Sequence, residues 1–220
     1  MKDMPNDYLL KWLALCGFVG PMLDITVPML VGIFDPGYSP VRQFISVLGV
    51  PGRPYAPLIS IWFAIGGLLF VAFALGLYRG LPRTRFSWVG PLLLATYGIF
   101  NGVGSGVFPC DPGCAGKTFS GQMHLTVSAI GYVSMVLVPF FVWVSIRNDK
   151  RWAGYAGTTL IFQALGIGIF IWFAVVTGET SEPSSSVSII GGVQLLLLVV
   201  YYLWFMVIAY KLLNLTKIEK

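Results

Sequence analysis

The chain has 220 residues, 56% of them apolar and only 10% charged. Soluble domains carry about 25% charged residues, so a chain this poor in charge cannot cover a water-facing surface, and the bilayer is the solvent that fits it. The net charge of +5 is no argument for nucleic acid, because basic residues beside apolar spans follow the positive-inside bias. The length suits one compact helical bundle with no separate soluble domain.

The expected fold is an all-α integral membrane protein, a six-transmembrane-helix bundle forming a single domain over 1–220. Each span needs roughly 20 apolar residues, and a lipid-exposed segment must satisfy its backbone internally, so all six read as helices. The opening MKDMPNDYLLKWLALCGF is not a cleavable signal: its apolar region runs past signal length and contains Asp24. LALC resembles a lipoprotein cleavage box, but Leu15 stands where a small residue is wanted. The first span therefore covers about 9–34 and is retained.

Within it, Asp24 is flanked by Pro21 and Pro28. A mid-span carboxylate costs about 2.5–3.5 kcal/mol on insertion scales, so it should face the bundle interior and be paired or protonated. Prolines remove helix hydrogen bonds and free carbonyls near it. Two readings stay open: a structural carboxylate capping broken backbone or pairing with an arginine, and a ligand for a proton, ion or substrate.

Next comes a short helix over 39–48, with Ser39 as N-cap, Pro40 at its first position and Gly49 as its stop. Val41, Phe44, Ile45 and Leu48 make its apolar face. It reads as an interfacial or re-entrant helix between spans 1 and 2. Arg42 is either an interfacial anchor or a lid residue that binds an anionic or polar head group, with Asp24 or Asp111 as its partner.

The second span covers about 58–78 and the third about 88–108. In the third, Gly98, Gly102 and Gly106 recur every four residues. Small residues at that spacing let backbones approach closely, within the chain or in a homo-oligomer through this face. Asn101 and Ser105, one turn apart, could line an outer cavity.

The segment 106–124, GVFPCDPGCAGKTFSGQMH, concentrates the polar chemistry. Pro112-Gly113 is a strong turn signal, and the three residues between Cys110 and Cys114 let the two thiols meet. Outside the cytoplasm such a disulfide persists. No metal is expected, because two thiols and one histidine need a fourth ligand and the spacing is not a zinc pattern. His124, the sole histidine, is either bonded to Asp111 or a backbone carbonyl, or is a general base or proton carrier. Spans four to six cover about 122–146, 155–176 and 187–213, and a polar ETSEPSSS loop precedes the last. Gln163 and Gln194 read as interhelical hydrogen-bonding amides.

YSPVRQFISVLG after the first span and GVFPCDPGC…GQMH between the third and fourth are similar to the patterns of the domain-of-unknown-function family 998, a group of small multi-span membrane proteins. The resemblance covers essentially the whole chain. It implies that Tyr38, Ser39, Arg42, Ser46, Gly49, Pro109, Asp111 and His124 match the recurring pattern of the family. It names no catalytic residue and no cofactor.

Of the fourteen Lys and Arg, only Arg42, Arg53 and Lys117 fall on the side opposite the N-terminus. This predicts a plasma-membrane protein with both termini cytoplasmic and the Cys110–Cys114 turn outside. The functional expectation is binding of a membrane lipid or apolar small molecule in an outward-facing cavity. Its polar residues are Asp24, Tyr38, Ser39, Arg42, Asn101, Ser105, Asp111 and His124. The alternatives are an intramembrane enzyme using Asp111 and His124 for acid–base work, a small proton-coupled transporter using Asp24, and a purely structural protein.

Overall fold

A computed structural model describes residues 7–179 and 188–215. The sequence-predicted ETSEPSSS loop beyond Glu179, together with Lys2, Lys217 and Lys220 of the charge pattern, lies outside the described residues. Five long helices are present: α1 (Asp7–Ile33), α2 (Ala56–Gly80), α4 (Phe119–Ile146), α5 (Tyr155–Glu179) and α6 (Ile190–Leu215). Between α2 and α4 lies a composite helix, α3, made of Val89–Tyr97, a π-helical stretch Gly98–Gly104, and Ser105–Val107. No strand occurs among the described residues.

The six helices form a ring in which each packs against the next and α6 closes on α1. Neighbours run antiparallel. Along α1 and α2, Leu13 lies by Gly76 and Asp24 by Gly66. Along α2 and α3, Gly67 meets Gly98, while Ser60 meets Gly106. Along α3 and α4, Gly90 faces Val142, and Gly104 faces Val127.

Among the described residues, five helices are long and apolar enough to cross a membrane, where the sequence predicted six. The difference lies in α3, whose π-helical stretch divides it into pieces too short to qualify singly. The cause is local. Gly98 and Gly102 sit backbone to backbone against Gly67, within the π-helical stretch Gly98–Gly104. The Gly98/Gly102/Gly106 face is thus taken up by α2 of the same chain.

The predicted helix over 39–48 is also replaced. Only a 3-10 turn, Ile45–Gly49, forms there. Long-range partners take the groups that an α-helix would pair with each other. The Ile45 N–H donates to Gln194 Oε1 (2.9 Å), and Val41 O accepts from the Gly192 N–H (2.8 Å). Ser39 does not cap; its own N–H donates to Gln43 Oε1 (2.9 Å). The turn lies across the end of the ring and tucks Leu48 against Val31 and Ile59, and Val47 and Val50 against Cys110 and Cys114.

The core is aromatic. Trp152, Trp204, Tyr97, Tyr201, Tyr202, Phe73 and Phe205 are all fully buried, and Phe70 packs on Tyr97, Tyr202 and Phe205 with ring centroids 5.0–5.9 Å apart.

Candidate functional site

A cavity of about 190 Å³ runs from this turn into the centre of the ring. Its polar lining comes from every helix except α2: Asp24 of α1; Tyr97, Asn101 and Ser105 of α3; His124, Ser128 and Tyr132 of α4; Thr177 of α5; and Gln194 of α6. Phe44, Ile45, Ser46 and Cys114 close its end, and Phe63, Phe70 and Phe173 supply apolar wall. Leu125, Ala129 and Thr177 line the cavity and are also exposed on the flank of the bundle. The mouth therefore opens sideways, between α4 and α5.

At the floor, the Tyr202 hydroxyl donates to Asp24 Oδ2 (2.5 Å), and the hydroxyls of Tyr202 and Tyr97 are themselves 2.5 Å apart. A buried tyrosine hydroxyl needs a partner, and here three helices supply one another's. Between this floor and the closing turn, Gln194 is a strut. It accepts from the Ile45 N–H and donates through Nε2 to the Tyr132 hydroxyl (2.8 Å), tying the closing turn to α6 and α4. Gln163, the second amide, donates to Val136 O (3.0 Å).

The predicted site residues separate into two groups. Asp24, Asn101, Ser105 and His124 line the cavity. Tyr38, Ser39, Arg42 and Asp111 do not. Arg42 is exposed and ion-paired with neither Asp24 nor Asp111. The ion pair on this side is Arg53 with Asp35 (2.8 Å), whose carboxylate is buried. Tyr38 packs its ring against Gly32.

Asp111 is a loop-former. Its carboxylate accepts from the Lys117 N–H (2.6 Å), the Thr118 N–H (2.9 Å) and the Thr118 hydroxyl (2.6 Å), while Thr118 caps α4 by accepting from the Gly121 N–H (3.1 Å). No hydrogen bond joins it to His124, whose Nδ1 lies 2.8 Å from Phe108 O. Cys110 and Cys114 stand at disulfide distance with Cα atoms 4.9 Å apart. The sulfurs and a His124 nitrogen fall within 4.8 Å of one another.

The hydrogen bonds from the Thr118 hydroxyl and amide hold the Asp111 carboxyl below the usual carboxylate range. A group whose folded pKa is depressed stabilises fully above its unfolded value of about 3.9, and that stability is lost as pH falls through the folded pKa. Melts of the protein from pH 7 to pH 3 should therefore show a loss confined to the acid end. Asp111→Asn should melt lower at pH 7 and lack that part of the acid dependence; identical profiles would refute the loop-forming role.

Ser128 and Tyr132 share the helix face of His124 in the sequence, whereas nothing there singles out Tyr97 and Tyr202. Their signal was present only as hydroxyl groups in mid-span, each requiring a partner.

No curated protein and no solved structure matches the chain. A family model described as "Protein of unknown function (DUF998)" matches residues 18–211. Since that match spans most of the chain and agrees with the motifs at 38–49 and 106–124, the chain belongs to the DUF998 family.

Proposed function

We propose that this is a six-span membrane protein that binds a lipid or other apolar small molecule, admitted from the bilayer into the central cavity. The observation that carries the reading is the flank opening at Leu125, Ala129 and Thr177, which leads from hydrocarbon-facing surface to a polar floor at Asp24. An amphiphile suits a site that is apolar at its mouth and polar at its end, since ligand pockets fix orientation with a few placed polar groups.

The sixth span is α3, which runs antiparallel along both α2 and α4. Its three pieces together cover 89–107, about 28 Å of helix at the usual rise, close to a hydrocarbon core of about 30 Å. Lys11, Arg79, Arg83, Arg85, Arg147, Lys150, Arg151 and Lys211 gather at one end of the ring, and Arg42, Arg53 and Lys117 at the other. This asymmetry supports cytoplasmic termini, with the closed end of the cavity outside.

Native mass spectrometry of the full chain, released from lipid under mild detergent, tests the reading. The protein should carry a co-purified amphiphile. Ser128→Trp puts an indole into the cavity and should lose it, whereas Ser128→Ala should keep it. An adduct retained by Ser128→Trp, or absent from the unsubstituted protein, would contradict the assignment.

A further inference from the structure

The cavity has a charge character that its size and shape do not convey. Asp24 is its one carboxylate, and no lysine or arginine lines it. The ion pairs among the described residues are Arg53 with Asp35 and Arg151 with Asp149, both outside the cavity. The bond made to the Asp24 side chain comes from the Tyr202 hydroxyl, backed in turn by Tyr97. This chain of hydroxyls supplies hydrogen-bond donors but no counter-charge. Intramembrane acids face the bundle interior or a cavity and pair with one another or with backbone carbonyls; here no lysine or arginine lines the cavity with Asp24, and His124, the one other titratable nitrogen of the lining, lies at its closed end beside Cys114.

Aromatic surface surrounds the same point. Phe70, Tyr97 and Tyr132 line the deep part of the cavity with Asp24, and Phe44, Phe63 and Phe173 the rest. Phe70 and Tyr97 meet edge to face, with centroids 5.0 Å apart, and Tyr132 packs against Phe173 at 5.5 Å. Ring faces attract cations most strongly where water is excluded, and aromatic cages are the common way to hold an ammonium group. A carboxylate among such rings, open to bilayer-facing surface on one side, matches an organic cation with an apolar tail. An anionic head group would meet Asp24 with no positive residue to offset it.

We propose that the ligand is a cationic amphiphile, an alkyl amine or quaternary ammonium compound. Its head group seats against Asp24 and the rings of Phe70, Tyr97 and Tyr132, and its chain leaves between α4 and α5. This rests on the cavity being a binding site, as argued above, and adds the charge of what it binds.

The test uses three probes with the same chain: decyltrimethylammonium, decanol and decyl sulfate. Each is titrated below its micellar range into the full protein in a neutral detergent, followed by calorimetry and by the shift in melting temperature. The cation should bind at least about tenfold more tightly than the alcohol, in line with a desolvated cation–π contact joined to a carboxylate, and the sulfate more weakly than either. In Asp24→Asn, where the amide oxygen still accepts from Tyr202, the preference for the cation should fall severalfold to what the rings alone supply, while the alcohol binds as before.

The comparison among probes on the unsubstituted protein stands even if that variant does not fold. Equal binding of cation and alcohol, or a cation preference undiminished in Asp24→Asn, would overturn the charge assignment and leave the cavity reading intact. Failure of all three probes to bind, with Ser128→Trp behaving as the unsubstituted protein, would overturn both.

Discussion

Gly67→Leu should be the most damaging single substitution in the bundle. A Cβ at position 67 would lie 2.7 Å from the Val103 nitrogen and 3.0 Å from Gly102 Cα, and closer still to Gly98 O. These are main-chain atoms of α3, and no flexible side-chain end can yield. Overpacking a core usually costs about 1–3 kcal/mol. A clash between two backbones belongs at the top of that range, because neither helix can shift without losing its other contacts. The bilayer gives no compensation, since helix association in lipid rests on packing rather than on burial from water.

The matched control is Gly168→Leu on α5, where an added Cβ meets nothing within 4 Å. Thermal melts in one detergent should show a large loss for the first and little change for the second. Similar melts for the two variants would mean that the α2–α3 contact contributes little.

Gly191→Val should give the second largest effect, and a different one. Its Cβ would fall 2.9 Å from the Gln43 carbonyl carbon and nearer still to the oxygens of Pro40 and Gln43. Those belong to the segment that leads into the closing turn rather than to a spanning helix. The ring should therefore survive while the turn lifts from the start of α6, breaking the Gly192 to Val41 and Ile45 to Gln194 bonds. The cost falls in the range of about 1–3 kcal/mol for overpacking. Hydrogen exchange locates it: amides of Ile45–Gly49 should lose protection, while those in the middle of α2 and α6 keep it. Unchanged protection at Ile45 would show that the turn is held by something other than its docking on α6.

The spans were legible in the sequence because a bilayer demands long apolar runs, and five of them fold within a few residues of where those runs begin and end. The cavity was legible in part for the complementary reason. Asp24, Asn101, Ser105 and His124 are polar groups in apolar surroundings, and such groups turn inward. The rest depends on partners far away in the chain. Tyr202 and Asp24 are 178 residues apart, and Tyr132 and Gln194 are 62 apart, so no periodicity marks either pair.

The 39–48 segment carried good helix signals, yet two tertiary hydrogen bonds, made by Val41 and Ile45, outcompeted them. Asp111 and Arg42 stood out by charge alone. Charge does not reveal that one carboxylate is consumed by its own loop and that one guanidinium stays at the surface. The division of α3 followed from glycines that the sequence did show, but its form depended on Gly67 across the interface.

The most direct measurement is a density map of the full chain in a lipid nanodisc, at a resolution that separates lipid from water. It should contain elongated density that enters between α4 and α5 beside Leu125, Ala129 and Thr177 and ends within contact distance of Asp24. A cavity holding only water, or density confined to the outer surface of the ring, would contradict a bilayer-fed binding site.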